Sequence, residues 1–283
     1  MESACATQPG VQTNPLPDGR ASYHLLAERA AGAQRFLDIG CGDGALLALL
    51  AARGAKHLAG VDMSEHELAV AHSRPELADA ALYLGRAEEL PFADDSFDAV
   101  ISHMALAQLP EAGPVVAETA RVLAPNGRFV ASMPARPELG SGYDLFFTVT
   151  RPLFDALPPE HHRADPCTRD SVDALLRPAG MTVIHWEEVT LGLPSPAADI
   201  WQTAVEKYCE PTLFPNSELD RLRAEFLDRA TALAPADRLL PGERMSVATT
   251  ELTPTDEFRW HQPSRHREGP LLHEQGAWVP TAQ

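Results

Sequence analysis

The residues best suited to chemistry stand close together between Phe36 and Gly44, where the sequence reads FLDIGCGDG. A short apolar run carries Asp38, and Gly40, Gly42 and Gly44 follow at alternate positions. Glycine at such positions allows a positive φ and lets a ligand approach the bare backbone. Because an apolar, alanine-rich helix follows directly, the pattern predicts a strand, a glycine turn and a helix N-terminus that bind a nucleotide-like ligand.

An acidic residue downstream completes this pattern. Asp62 follows the apolar stretch His57 to Val61 and lies eighteen residues past Gly44. An acid at this point of a βαβ unit can accept hydrogen bonds from both ribose hydroxyls. Asp62 could instead cap the next helix, but Ser64 is better placed as that cap. Asp62 is therefore predicted to bind a ribose.

Two further blocks follow along the chain. Residues 85–106 read GRAEELPFADDSFDAVISHMAL, and residues 120–132 read ARVLAPNGRFVAS. With the first two blocks they resemble the motifs of class I S-adenosylmethionine (SAM) dependent methyltransferases. Dinucleotide-binding folds favour G-x-G-x-x-G, whereas this chain has G-x-G-x-G two residues after an acid. Asn126 replaces a glycine of the last block, and it is predicted to adopt the left-handed conformation that asparagine tolerates.

The resemblance implies SAM as the cofactor and gives roles to several residues. Met63 would lie beside the adenine, and backbone groups of Ala87 and Glu88 would read the adenine edge. Arg86 departs from the family, which often carries an aspartate there. Arg20 and Tyr23, in the segment that closes over the cofactor in similar enzymes, are candidates for binding its carboxylate. The residues assigned to the cofactor are Tyr23, Asp38, Gly40, Cys41, Gly42, Asp62, Met63, Ala87, Glu88 and Ser102.

His103 is the residue predicted for catalysis. It comes at the end of the fourth predicted strand, where related amino-methylating enzymes begin an N-P-P-Y segment next to the transferable methyl group. This chain has no N-P-P-Y, which argues against nucleic-acid base amines as acceptors. His103 would act as a general base on a hydroxyl or acidic carbon acceptor, or it would only line the pocket. His161 and His162 are secondary candidates.

The alternation of short apolar segments with helical patterns predicts an α/β fold. Strands are predicted near residues 35–39, 57–61, 81–84, 97–102, 127–133, 181–191 and 245–252, and helices near 22–31, 44–53, 64–73 and 113–123. The family resemblance implies a Rossmann-like, seven-stranded, mostly parallel sheet with helices on both faces, plus a helical lid. It also implies the strand order 3-2-1-4-5-7-6, with the seventh strand antiparallel.

Two segments exceed what such a sheet needs, and we interpret them as a lid that forms the substrate pocket. Asn216 and Ser217 are predicted to cap a helix in the second of them, whose apolar residues recur from Leu219 to Leu233. The predicted organisation is a mobile N-terminal arm (1–20), the SAM-binding core (21–134), a first lid insertion (135–168), a return to the core with its sixth strand (169–193), a helical lid insertion (194–243), the last core strand (244–252) and a C-terminal arm (253–283).

Composition excludes several classes of function. The formal net charge is −17, so a nucleic-acid partner would be repelled. No run of about 18 apolar residues is present, so no membrane partner is expected, and the N-terminus lacks the pattern of a signal peptide. The cysteines, at positions 5, 41, 167 and 209, show no paired spacing and are interpreted as free thiols in the cytoplasm, without a metal site.

Three functions compete on these observations. The first is a methyltransferase for a small-molecule acceptor, with a role in secondary metabolism. The second is a nicotinamide-dependent oxidoreductase, which the glycine spacing and the absence of a Tyr-x-x-x-Lys pair disfavour. The third is a SAM-binding protein without methyl transfer. The sequence leaves open whether the protein forms a homodimer and whether the acceptor atom is oxygen, nitrogen or carbon.

Overall fold

A computed structural model describes residues 15–109, 111–158, 167–210, 212–234, 238–252, 271–272 and 278–279. The chain divides into two compact units. The first, called the sheet unit, comprises Tyr23–Pro134, Cys167–Glu187 and Ser246–Gln283. The second, called the helical unit, comprises Met1–Ser22, Ala135–Pro166 and Glu188–Met245.

The strands form one seven-stranded sheet and one short pair. They are β1 (Arg35–Ile39), β2 (His57–Asp62), β3 (Ala81–Leu84), β4 (Phe97–His103), β5 (Leu123–Ala135), β6 (Met181–Leu191), β7 (Glu243–Leu252), β8 (Leu271–Leu272) and β9 (Trp278–Val279). The sheet order is β3-β2-β1-β4-β5-β7-β6, which confirms the predicted order. Parallel pairing joins β1 to β2 and β4, β2 to β3, and β4 to β5. Such strands are apolar because helices cover both faces.

The α-helices of the described chain are α1 (Tyr23–Arg29), α2 (Ala45–Ala52), α3 (Glu65–His72), α4 (Ala112–Val122), α5 (Gly142–Asp155), α6 (Arg169–Leu176), α7 (Ala197–Tyr208) and α8 (Asn216–Leu233). In the sheet unit, the Ser64 hydroxyl accepts a hydrogen bond from the Glu67 backbone at 3.2 Å, which confirms Ser64 as the cap of α3. β5 begins at Leu123, directly after α4, and not at residue 127 as predicted, because Leu123 already pairs with Phe97 of β4. Asn126 has φ 64, as predicted.

In the helical unit, α5, α7 and α8 pack through an aromatic core. The ring centroids of Phe146 and Trp201 are 5.2 Å apart, and those of Trp201 and Phe226 are 5.3 Å apart. The prediction that Asn216 and Ser217 cap α8 is wrong. The helix already begins at Asn216, and the carbonyl of Pro215 accepts from the backbone of the first turn without a side-chain cap.

A buried ion pair in the helical unit joins the end of α7 to the start of β7. The Lys207 ammonium contacts the Glu243 carboxylate, and only 8% and 11% of their side chains are exposed. The Tyr208 hydroxyl lies 3.5 Å from the same carboxylate oxygen. Burial of the two charges is costly, and mutual pairing offsets that cost. The pair therefore fixes the end of α7 against the first residue of β7.

The predicted arms fall largely outside the described residues. Of the N-terminal arm, residues 15–20 are described: Leu16 is buried, and the carbonyl of Pro15 accepts a hydrogen bond from Gly192 at 2.8 Å within the helical unit. Of the C-terminal arm, the structure describes β8 and β9, which pair antiparallel. No helix in the described ranges is long and apolar enough to span a membrane.

Candidate cofactor-binding site

The glycine turn after β1 has one open position. Gly40, Gly42 and Gly44 all have positive φ, at 72°, 51° and 75°. A Cβ on Gly40 would lie 2.5 Å from the Ala105 Cβ, and one on Gly44 would lie 2.6 Å from the Leu77 Cδ1. A Cβ on Gly42 would meet only a carboxylate oxygen, at 3.8 Å. Protein packing thus requires Gly40 and Gly44, whereas Gly42 leaves space for a ligand.

Asp62 ends β2 beside this open position. Its Oδ2 accepts from the Gly42 backbone and its Oδ1 from the Ser64 backbone, both at 2.8 Å. Each carboxylate oxygen keeps further acceptor capacity, so the group is oriented and still able to bind a diol. Met63 follows and is 58% exposed, and Leu84, in register with Asp62, is 61% exposed. Leu84 was not predicted from the sequence, although an apolar residue at the end of a predicted strand is a usable signal.

Asp38 is a buried acid without a complete set of partners. Only 2% of it is exposed, and its Oδ1 has no hydrogen-bond partner among the described residues. Burial, followed by the negative charges of Asp62 and Asp43, raises its pKa to about 8. A cationic ligand group would satisfy the orphaned oxygen and lower the electrostatic cost of ionising it. The site therefore fits the cofactor that the sequence implies.

Four carboxylates surround the glycine turn, and we call them the acidic group: Asp38, Asp43, Asp62 and Glu67. Arg74 pairs with Asp43 and also donates to its backbone carbonyl at 2.5 Å, so it offsets part of this charge. A surplus of negative charge favours a cation such as a sulfonium or an ammonium and opposes a pyrophosphate. The contact between Arg74 and Asp43 was not predicted from the sequence, because thirty-one residues separate the two.

His103 lies at the end of β4 with its ring against Tyr23 of α1. The ring centroids are 4.6 Å apart at an interplanar angle of 66°. Asp38 is in register with Ile101, two residues before His103, so Asp38 and His103 belong to the same face of the sheet. Burial lowers the pKa of His103 to about 4, and the imidazole is neutral at pH 7.

Met104, directly after His103, has the left-handed φ of 62°. Its backbone donates to the Ser132 carbonyl and hydroxyl, at 3.0 and 3.1 Å, and these bonds hold the unusual conformation. Non-glycine residues in this region are uncommon and cluster at functional sites. This bend, which lets Ala105 approach Gly40, was not predicted from the sequence.

The remaining predicted residues lie around this centre. Ser102 is almost fully buried, its Oγ has no partner within the described ranges, and it points to the sheet face opposite His103. The Cys41 thiol packs beside Gly60 of β2, and burial raises its pKa. The Glu88 Oε1 accepts from Arg86 at 2.7 Å while its Oε2 is buried without a partner in the described chain.

Ala87, next to Glu88, is buried. His161 and His162 lie outside the described residues. The structure thus brings Tyr23, Asp38 and His103 together on one side of the glycine turn. The Cys41 thiol is buried, its backbone N–H donates to the Val61 carbonyl at 3.2 Å, and its carbonyl accepts from Gly44 at 2.9 Å, so Cys41 shapes the turn from within the protein.

Comparison with known proteins agrees with this geometry. The profile of a methyltransferase domain matches residues 37–131. A demethylmenaquinone methyltransferase of Clavibacter sepedonicus is 34% identical over 173 residues, which cover 56% of this chain and 70% of that relative. A candidate methyltransferase from Bacillus halodurans shares the fold at 21% identity with a TM-score of 0.57, over 83% of this chain and 99% of the other. The chain therefore belongs to the class I SAM-dependent methyltransferase superfamily.

The cofactor of this enzyme class is SAM, and the acidic group suits its positive charge. Membership removes the nicotinamide-dependent alternative, which the glycine spacing already disfavoured. The fold alone is broader than the activity: the 4+2 cyclase SpnF also matches, at 21% identity and a TM-score of 0.54, over 82% of this chain and 81% of that protein. The acceptor must therefore be argued from the site.

Proposed function

We propose that this protein transfers the methyl group of SAM to a small-molecule acceptor, and that the acidic group holds the cationic cofactor. The observation that carries the proposal is the orphaned Oδ1 of Asp38, buried beside the charges of Asp62 and Asp43. A positively charged partner would favour the ionised form of Asp38 in that setting and would satisfy its free oxygen. When bound, SAM supplies an electrophilic methyl group on a sulfonium and an ammonium at its amino-acid end.

Each part of the site would then have one task. Asp38 would accept from the ammonium, and Asp62 would accept from the ribose hydroxyls with the oxygens that Gly42 and Ser64 already orient. Met63, exposed beside Asp62, would cover the adenine together with the backbone at Ala87 and Glu88.

His103 would face the acceptor at the end of β4. A neutral imidazole can take a proton, but a base whose pKa is about 4 gives little driving force for ionising an ordinary alcohol. We therefore propose an acceptor that is already acidic or nucleophilic, such as an enolic or phenolic hydroxyl or an activated ring carbon. The similarity to an enzyme named for demethylmenaquinone makes reduced naphthoquinones the first compounds to try. A role in secondary metabolism stays a prediction.

Methyl transfer needs alignment more than it needs a protein nucleophile. Holding donor and acceptor in line can contribute about 7–11 kcal/mol to lowering the barrier. The charge of −17 disfavours long anionic acceptors and is compatible with a small neutral one.

The test is a transfer assay with methyl-labelled SAM and a panel of naphthoquinols, phenols, enols and simple alcohols, read by mass spectrometry. We expect labelled product from at least one acidic acceptor and none from simple alcohols. Asp62→Ala is the control for cofactor dependence, and calorimetry reports SAM binding separately. SAM binding without product from any acceptor would favour the third hypothesis, a SAM-binding protein without methyl transfer.

A further inference from the structure

Tyr23 has a position that the proposed function does not use. It is the first residue of α1, and its ring meets the His103 imidazole edge to face at 4.6 Å. The other end of α1 is also fixed, because the Arg29 Nε donates to Glu187 of β6 at 2.6 Å. Leu26 and Ala27 are buried between these two contacts, so the backbone of α1 is anchored along its length.

The surroundings of Tyr23 oppose the role that the family resemblance implies for it. Its pKa is raised by burial first, and then by the negative charges of Asp38 and Asp43, with a smaller contribution from Glu67. Arg74 acts in the opposite direction. A cofactor carboxylate placed at the Tyr23 hydroxyl would meet the same negative charges. The ring contact with His103 is therefore the better guide to what Tyr23 does.

An imidazole at the end of a strand is normally hydrated and titrates near neutral pH. His103 instead meets the Tyr23 ring edge to face and is partly buried, and this burial is the cause of its lowered pKa. The charged groups that act on Tyr23, the ring neighbour of His103, are the acids Asp38, Asp43 and Glu67 and the cation Arg74. The acids would favour a protonated imidazole, so they cannot be what keeps His103 neutral.

We propose that Tyr23 is a positioning residue, whose ring excludes water from His103 and fixes the imidazole at the end of β4. The proposal rests on the proposed role of His103 at the acceptor. The effect of Tyr23 on the pKa of His103 can nevertheless be measured independently of methyl transfer, because it is a property of the ligand-free protein. The ring, and not the hydroxyl, carries the effect.

The experiment is a histidine-selective NMR titration of the ligand-free protein, in wild type and in the variants Tyr23→Phe and Tyr23→Leu. The chain has 11 histidines, and His103→Asn identifies the resonance that belongs to His103. We expect Tyr23→Phe to leave the pKa of His103 near its wild-type value. Tyr23→Leu should raise it by about one unit or more toward the ordinary ~6.5, because water reaches the ring.

Tyr83→Leu is the matched control, because Tyr83 makes a similar edge contact with Phe92, at 5.3 Å, within the same unit. It should leave the pKa of His103 unchanged, and circular dichroism should show all variants folded. If Tyr23→Leu fails to fold, Tyr23→Met makes the same comparison with a longer side chain. An unchanged His103 pKa in the leucine or methionine variant would overturn the proposal.

The same variants separate this proposal from the proposed function. A raised pKa in Tyr23→Leu supports the positioning role even if His103→Asn keeps full turnover. In that case the role of His103 in methyl transfer would fail and the positioning by Tyr23 would stand.

Discussion

Binding of SAM should release a proton from Asp38. Its pKa of about 8 in the ligand-free protein means that about nine in ten molecules hold the proton at pH 7, since one pH unit is a factor of ten. A protonated carboxyl cannot pair with the ammonium of the cofactor, so binding must drive the proton off. The affinity for SAM should therefore rise with pH below pH 8, by about tenfold between pH 6 and pH 7. In this range the α-amino group of SAM itself stays protonated, because such groups titrate near ~7.7 to 8.

Calorimetry at pH 6 and pH 7, in buffers with different heats of ionisation, counts the protons released. Wild type should release about one proton per SAM, whereas Asp38→Asn should release none and bind weakly. A wild-type titration without proton release at either pH would refute the assignment of Asp38 to the ammonium.

Asp38→Asn should also change the stability of the ligand-free protein. The native pKa lies above the unfolded one, so the native state holds the extra proton between pH ~4 and ~8 and its stability falls as pH rises through that window. Because Asn does not titrate, the free energy of unfolding of the variant should not fall in this way. Relative to wild type it should therefore rise by up to about 1.4 kcal/mol per pH unit. Urea unfolding at pH 5 and pH 8 measures the difference, and equal changes in both proteins would contradict a raised pKa.

Three further predictions concern the turn and the helical unit. Gly42→Val should abolish SAM binding in calorimetry, because a branched side chain fills the open position and is strained at a φ of 51°. A folded variant that binds SAM normally would contradict the motif assignment. Lys207→Met should destabilise the protein by about 3–5 kcal/mol, because it removes the cation that offsets the buried Glu243 charge. Adding Glu243→Leu should restore most of that loss in urea unfolding, and no recovery would mean that loss of the ion pair is not the cause. The interpretation of residues 135–168 and 194–243 as a lid predicts slower hydrogen exchange in both segments with S-adenosylhomocysteine and acceptor bound, and equal exchange would count against it.

Much of the sheet and of the cofactor turn follows from the sequence alone. The glycine spacing after Asp38, the acid at Asp62 and the cap at Ser64 are local features, each of which sets the backbone within a few residues. The order of the strands came from the resemblance of four blocks to one family. The predicted start of β5 was wrong because Leu123 pairs with β4, a contact that the local sequence does not show. The predicted cap of α8 was wrong because the Pro215 carbonyl, and not a side chain, accepts from the first turn.

The electrostatic character of the site was decided only by tertiary structure. The sequence shows that Asp38 is acidic and His103 is basic, but their pKa values depend on burial and on charges from distant parts of the chain. The contact of Tyr23 with His103 joins residues eighty positions apart, and no period or spacing encodes it. The bend at Met104 exists because Ser132 holds it. The local sequence thus determines which side chains lie at the site. Long-range packing determines their burial and neighbouring charges, and so their protonation states.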